Sequence, residues 1–501
     1  MKLISRIHIL SAFLFLIISF LLFANSSFAE TKTFIKEYTY HAGDEDSRNS
    51  SRIISLREVK RLLLEELGTY LESQTEVKNF QITKDQITTL TAGIVGTEVI
   101  EDKWDGKVYW LKAKITADST EVIKSIDSLR KDREKVKELE ELRKKSEELL
   151  KENERLNKEL KTAKGDAKQE TAKAYKKNID YLTAVEWFYK GLAASIESNS
   201  NQAINDYNKA IELNPQLVEA YNNRGVAYRQ QNNQTQAIKD FNKAIELNPQ
   251  DAGVYNNRGL AYSDLGDHNQ SIKDYDKAIE LNPQLAVAHY NRGIACANLG
   301  NYNQAIKDYN KAIELNPQLV AAYNNRGAAY SYLGNNNQAI MDYNKAIEID
   351  PQDAGVYSNR GIVYRKIGNH NQAIKDFSKS IELDHHNATA YNNLGLTYGR
   401  LGNYNQAIKN YNKAITLNPR YAEAYNNRGF AYGNLGNHNQ EIKDFSKVIE
   451  LNPQDSEAYM IRGATYGNLR KNKQAISDIK IAARLGNEMA QVFLKGQGIT
   501  W

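Results

Sequence analysis

The chain has 501 residues, with 66 Lys and Arg against 61 Asp and Glu, a net charge of +5 and a single cysteine. Charge this close to balance, with the basic residues spread rather than clustered, gives no electrostatic footprint for nucleic acid. One cysteine allows no internal disulfide, and the length exceeds what one hydrophobic core holds, so several modules are expected.

At the N-terminus, Lys2 and Arg6 precede an apolar run from Ile9 to Ala24, broken only by serines, and Ser27-Phe28-Ala29 follows. This predicts a signal peptide over 1–29, cleaved before Glu30, and hence a periplasmic or secreted protein. The alternative is an inner-membrane anchor through residues 9–24, a run slightly short for a span. No cysteine lies near 24–30, which excludes lipid attachment there.

Residues 30–117 read as a small α+β domain. Thr33–Tyr40 is a candidate strand, and Arg52–Leu71 has helical periodicity in Ile53, Leu56, Val59, Leu62–Leu64 and Leu67. Thr89–Val99 and Val108–Ile115 are β-rich and joined near Asp105-Gly106, a turn signal. Residues 118–165 predict a coiled-coil helix, with Leu139, Leu142, Leu149, Leu156 and Leu160 at a and d positions and Ser146 and Asn153 at two a positions. That stripe suits homo-oligomerisation through 120–160; a lone solvated helix with i,i+4 Glu–Lys pairs is the other reading. Residues 166–183 are expected to be a linker.

From there on the chain is periodic. All seven prolines fall on a 34-residue comb: Pro215, Pro249, Pro283, Pro317, Pro351, Pro419 and Pro453, with His385 at the vacant tooth. Proline ends a helix because it lacks the N–H and displaces the residue before it, so even spacing means one helical unit copied many times. Nine units begin at Ala184, Val218, Ala252, Ala286, Val320, Ala354, Ala388, Ala422 and Ser456. Within the second, Tyr221, Arg224-Gly225, Tyr228, Ala237, Phe241, Ala244 and Pro249 alternate large and small residues, as two closely packed helices require.

This pattern resembles the tetratricopeptide repeat, a 34-residue helix–turn–helix, over 184–487. The resemblance implies a mainly α fold: a right-handed α-solenoid of helix hairpins, here preceded by the small α+β domain and the coiled-coil helix. Some units depart from it. Unit one has Ala194 where others carry Tyr, unit four has His289 and Cys296 at its two first-helix aromatic positions, and unit nine has Ile479 and no closing proline. Residues 488–501 supply a capping helix and tail, since a terminal repeat needs its outer face covered.

Asparagine recurs at the sixth position of seven successive units: Asn223, Asn257, Asn291, Asn325, Asn359, Asn393 and Asn427. Helix propensity does not favour asparagine mid-helix. In arrays of this family these first-helix positions face the concave surface, where amides grip the backbone of an extended peptide as donor and acceptor together. The other reading is that they bond between adjacent repeats. Lysine and arginine are sparse at the remaining inward positions, unlike a carboxylate clamp.

Arginine at the seventh position (Arg224, Arg258, Arg292, Arg326, Arg360, Arg428, Arg462) is accompanied sixteen residues on by Asp240, Asp274, Asp308, Asp342, Asp376, Asp444 and Asp478. Unit seven has Leu394 and Asn410 instead, so the charges are lost together, as a contact between the two helices would require.

No catalytic motif is present, and the histidines His268, His370 and His438 share one repeat position several units apart, beyond ligand distance. We therefore expect no enzyme activity, no cofactor and no metal. The expected role is a cell-envelope scaffold whose partner is a protein or peptide. The alternative is a structural component of a polysaccharide, pilus or outer-membrane export machine.

Overall fold

A computed structural model describes residues 31–43, 46–78, 82–131 and 133–501. The segment expected to be a signal peptide lies outside them. The chain divides into two compact units, one ending at Leu281 and the other starting at Asn282.

The first unit opens with strand β1 (Thr31–His41), helix α1 (Arg48–Glu72), a short α2 (Thr75–Lys78) and α3 (Lys84–Ala92). Strands β2 (Glu98–Trp104) and β3 (Val108–Asp118) complete a sheet of order β1-β3-β2. β1 runs antiparallel to β3 from Thr31 opposite Asp118 to His41 opposite Val108. β2 flanks the other side of β3, with an irregularity between Val99 and Glu101. Helix α1 starts at a capping box, Ser47 and Ser50 each bonding the other's backbone N–H. Its buried Val59, Leu63, Leu67 and Leu71 pack with Tyr109, Leu111, Ala113 and Ile115, the alternate residues on one face of β3.

The expectation of β structure from Thr89 fails, because Thr89–Ala92 form the last turn of α3 and the strand begins at Glu98. A second capping box, Thr83 with Gln86, nucleates that helix. The hydroxyls of Thr88, Thr89 and Thr91 bond the carbonyls of Lys84, Asp85 and Ile87 four residues back, so these threonines are accommodated in helix despite their β preference.

The charged stretch forms two helices, α4 (Ser119–Lys131) and α5 (Arg133–Leu160). The leucine stripe is covered by the chain itself. Leu139 and Leu142 join the core containing Phe188 and Leu192, while Leu156 and Leu160 pack with Ile53, Ile54, Tyr175, Ile179 and Leu182. Ser146 and Asn153 are buried along the same stripe. The face expected to pair with a second copy is therefore occupied. Nor is 166–183 a linker: it belongs to one helix, α6 (Gly165–Ile196), which runs into the first repeat and is anchored by Tyr175, Ile179 and Leu182.

Among the described residues, nine helical hairpins follow one another. The first unit holds three, from α6 paired with Ser200–Leu213 to Ala252–Asp264 paired with His268–Leu281. The second holds six, from Ala286–Asn298 paired with Tyr302–Leu315 to Ser456–Asn468 paired with Asn472–Arg484, and then a closing helix, Glu488–Gly496. The mainly α solenoid of hairpins with a small α+β region before it is thus the fold.

In the first eight repeats each second helix ends at a polar residue whose side chain forms a turn, whereas the ninth ends at Leu485. Asn248 Oδ1 accepts from the Gln250 N–H and Asn316 Oδ1 from the Gln318 N–H, both at 3.2 Å. Where proline is missing, Asp384 Oδ1 accepts from the His386 N–H at 2.9 Å, so the turn survives without it. The two helices of a hairpin meet at glycine: a Cβ on Gly225 would come within 2.7 Å of the Phe241 ring, and one on Gly327 within 2.9 Å of Tyr343. Ala490 and Leu494 of the closing helix pack on Ile479, Ala482 and Ala483, covering the end of the last repeat.

The Arg–Asp pairs form within each hairpin. Arg224 and Asp240 meet at 2.6 Å, Arg360 and Asp376 at 2.7 Å, in bidentate contact. Each arginine has a further role that the sequence did not disclose. Arg224 Nη1 donates to Asn208 Oδ1 and Arg360 Nη1 to Asn344 Oδ1, both at 2.6 Å, so the guanidinium also ties its repeat to the preceding one. In repeat seven Leu394 is buried beside Ala373 and Phe377, and Asn410 turns its amide to the Gln406 carbonyl at 2.8 Å. An apolar contact replaces the pair, and no charge is stranded.

Candidate functional site

Within each unit, successive first helices approach one another more closely than successive second helices do, from repeat one to three and from repeat four to eight. They therefore line the inner side of the stack, and the asparagine column runs along them. The amide at position six reaches back 35 residues to position five of the preceding repeat. Asn257 Nδ2 donates to Asn222 Oδ1, Asn359 Nδ2 to Asn324 Oδ1 and Asn427 Nδ2 to Asn392 Oδ1, each at 3.0 Å. Asn325 does the same to the Tyr290 hydroxyl at 3.1 Å. Burial holds that phenol above its ordinary pKa, so it remains protonated.

The remaining members of the column sit differently. Asn223 donates to the Glu219 carbonyl at 2.7 Å and to Glu138 Oε1 of α5 at 3.2 Å, so α5 covers the start of the row. Asn291 is half-buried on the first helix of repeat four. Asn393 is buried and accepts from Arg365 Nη2 at 3.3 Å. Its neighbour Asn392 is almost fully buried and donates to Glu423 Oε1 at 3.1 Å.

The inter-repeat bonding weighed as an alternative thus exists in both units. It does not consume the amides. In each Asn–Asn pair the donor keeps its carbonyl oxygen and one N–H, and Asn222 and Asn324 keep their NH₂ as well, whereas the NH₂ of Asn392 is taken up by Glu423 and Tyr421. Except for Asn393, the column residues are half-buried rather than enclosed. The arrangement is a row of fixed donors and acceptors, spaced by one repeat, on the inner face. Sequence reading missed the position-five partners that differ from asparagine, Tyr290 above all, because an aromatic there reads as core. The three repeat-position histidines lie at the starts of second helices, away from this row, and His438 Nδ1 contacts Glu441 at 2.8 Å. Among the described residues no group of three or more His, Cys, Asp or Glu side chains is placed to hold a metal, and no helix is long and apolar enough to cross a membrane.

Hairpin after hairpin with a polar inner row defines an α-solenoid of the kind that presents an extended surface to other chains. Profiles described as tetratricopeptide repeat match residues 252–285, 286–319 and 320–353, and again 352–420 and 387–454. A TPR repeat profile matches 198–232 and 225–266. Together the matches run without a gap from 198 to 454, just over half of the chain, and the protein belongs to the tetratricopeptide repeat family. No curated protein matches it.

Among solved structures it is similar to YrrB, described as a TPR protein with an unusual peptide-binding site: 27% identity over 37% of this chain and 95% of that one, TM-score 0.32. It is also similar to a tetratricopeptide repeat protein from Parabacteroides merdae, with 21% identity over 50% of this chain and 98% of that one, TM-score 0.41. A third is the APC/C hetero-tetramer Cut9-Hcn1, with 17% identity over 63% and 76%, TM-score 0.40. Proteins of this family bind protein or peptide partners, so the repeats mark a protein–protein interaction scaffold. The fold is generally a non-enzymatic one.

Proposed function

We propose that the protein is an exported scaffold of the bacterial cell envelope that holds an extended polypeptide, or a subunit of an envelope assembly, along the inner face of its repeats. The observation that carries this is the asparagine row, whose bonds of 3.0 to 3.1 Å between repeats fix the amides in place while leaving donors and acceptors over. An extended chain presents one N–H and one C=O per residue, so amides that offer both serve it without demanding a sequence. The envelope assignment rests on the N-terminal segment, with export as a cleaved protein and anchoring through residues 9–24 as its two forms.

A test is the triple variant Asn291→Ala, Asn325→Ala and Asn359→Ala, assayed by crosslinking pull-down from the envelope. Each lost ligand contact costs about 0.5–1.5 kcal/mol, so capture per folded molecule should fall roughly tenfold to more than a hundredfold. The lost inter-repeat bonds are partly offset by alanine's better helix propensity, about 0.5 kcal/mol per site, so the melting temperature should move little. A destabilised protein with undiminished capture would assign the asparagines to the stack alone.

One observation favours the structural-component reading. Leu299, Leu333, Ile367, Leu401 and Leu435 are all exposed at the same repeat position, at the turns between helices. A strut buries such an outer edge, whereas a receptor leaves it to solvent. Protection of these turns from hydrogen exchange in envelope extracts, compared with purified protein, separates the two.

A further inference from the structure

Residues 35 apart in adjacent repeats meet on the inner face, and this holds for position twelve with position thirteen of the next repeat. Arg229 and Asp264 show the geometry: Arg229 Nε donates to Asp264 Oδ2 at 2.6 Å. Four repeats on, the same two positions hold Arg365 and Arg400. Where the first unit places a carboxylate to receive the arginine, the second unit places another arginine. Lys366 lies beside them and donates to the Ser331 carbonyl at 2.8 Å, again 35 residues back. Among the described residues none of the three has an ion-pair partner, although most arginines of the repeats do.

Arg365 is the enclosed member of the group. Its Nη2 donates to Asn393, and its Nε is buried without a hydrogen-bond partner. Glu423 is close enough to be felt, but its carboxylate accepts from Asn392 at 3.1 Å. Burial, and after it the charge of Arg400, lowers the pKa of Arg365. Elsewhere in the second unit, positions twelve and thirteen are uncharged. Cations are therefore sparse on this face and gathered at one place. Lys366 and Arg400 lie seven residues beyond Asn359 and Asn393, two helical turns along the same stripe, so the cationic group continues the asparagine row.

We infer that repeats six and seven form an anion-recognising pole of the peptide groove, where Arg365, Lys366 and Arg400 receive the carboxylates of an acidic polypeptide. This deepens the groove reading and rests on it. The row holds any extended backbone; the pole selects and orients a chain that carries negative charge, because guanidinium groups bind carboxylates in directed, bidentate fashion.

The test measures fluorescence anisotropy at low salt on the full chain with three labelled peptides of equal length. One carries internal Asp and Glu with an amidated end, one is neutral with a free C-terminal carboxylate, and one is neutral and amidated. The proteins are wild type, Arg365→Gln/Lys366→Gln/Arg400→Gln, and Lys375→Gln/Lys409→Gln, which removes two exposed charges from second helices. A carboxylate peptide should bind wild type and the control about tenfold or more tighter than the neutral amidated one. The triple variant should lose that preference and keep the affinity for the neutral peptide. Which carboxylate peptide is preferred identifies the source of the charge. Neutral binding with no carboxylate preference, or a preference that survives in the triple variant, overturns the pole and leaves the groove. Binding of no peptide overturns both. Melting by circular dichroism checks the fold, and should the triple variant not fold, Arg400→Gln alone, at an exposed side chain, must reduce the preference several-fold.

Discussion

Arg326 is the place to test what holds one repeat together and to the next. Its Nε and Nη2 donate to the two Asp342 oxygens at 2.8 and 2.5 Å, and its Nη1 donates to Asn310 Oδ1 of the preceding repeat at 2.6 Å. The guanidinium also lies 5.5 Å from the Tyr323 ring centre. With side chains 18% and 8% exposed, the pair is mostly withdrawn from water. Burial works against the charge of Arg326, but the bonds from Asp342 outweigh it and raise its pKa. Removing either partner strands the other charge. Arg326→Leu should cost about 3 kcal/mol, because it also gives up Asn310, and Asp342→Asn about 2 kcal/mol. The double variant recreates the Leu394 and Asn410 of repeat seven, where leucine packs on its neighbours and the amide bonds its own helix. It should therefore cost about 3 rather than 5 kcal/mol, a coupling of about 2. Repeat arrays open locally, so hydrogen exchange of the amides in 336–349 is the assay, and about 3 kcal/mol is roughly a hundredfold or more in exchange rate. Additive single effects in the cycle would refute the pair as a stabilising unit.

Sequencing the N-terminus of protein recovered from the envelope should read from Glu30; an intact Met1 or Lys2 would favour the anchored form. His289 predicts a pH dependence. It is buried, Nε2 meets the Pro283 carbonyl at 3.1 Å while Nδ1 is enclosed without a partner, and its pKa is lowered by burial first, with Arg292 and Lys311 adding to it, against the Pro283 bond and the pull of Asp308. A depressed folded pKa gives stability that is complete above about 6.5, the unfolded value, and is lost as pH falls toward the folded one. His289→Tyr, restoring the tyrosine that bonds Pro419 from Tyr425 in repeat eight, should flatten the stability profile between pH 7 and 5 by up to about 1 kcal/mol. Equal slopes for the two proteins would remove His289 from the account.

The repeats were legible because every position is written nine times, so that Gly225 against Phe241 and Gly327 against Tyr343 are replicates of one packing rule. A single-copy segment has no such replication. Thr89 to Thr91 read as strand because β-branched residues favour it, yet the cap at Thr83 and Gln86 and the hydroxyl bonds to the preceding turn decide for helix. The leucines of α5 announced correctly that a face must be covered. Whether the cover is a second copy or the chain's own α1 and α6 depends on tertiary contacts between residues as distant as Ile53 and Leu160, which a heptad pattern does not encode.

The site was legible as a column and illegible as a network. A count of asparagines locates position six; only the 35-residue offset between helices shows that Asn257, Asn325, Asn359 and Asn427 are held by the preceding repeat. That holding is compatible with binding, and favours it. An asparagine free to rotate would pay side-chain entropy on meeting a ligand, about 0.5–1.5 kcal/mol for each one immobilised. Asn359, fixed to Asn324, and Asn427, fixed to Asn392, are ordered before any ligand arrives. The bonds that stabilise the stack are thus the ones that set the groove's remaining donors and acceptors at one-repeat spacing. For this reason a change in stability alone cannot assign the asparagines, and capture has to be read per folded molecule.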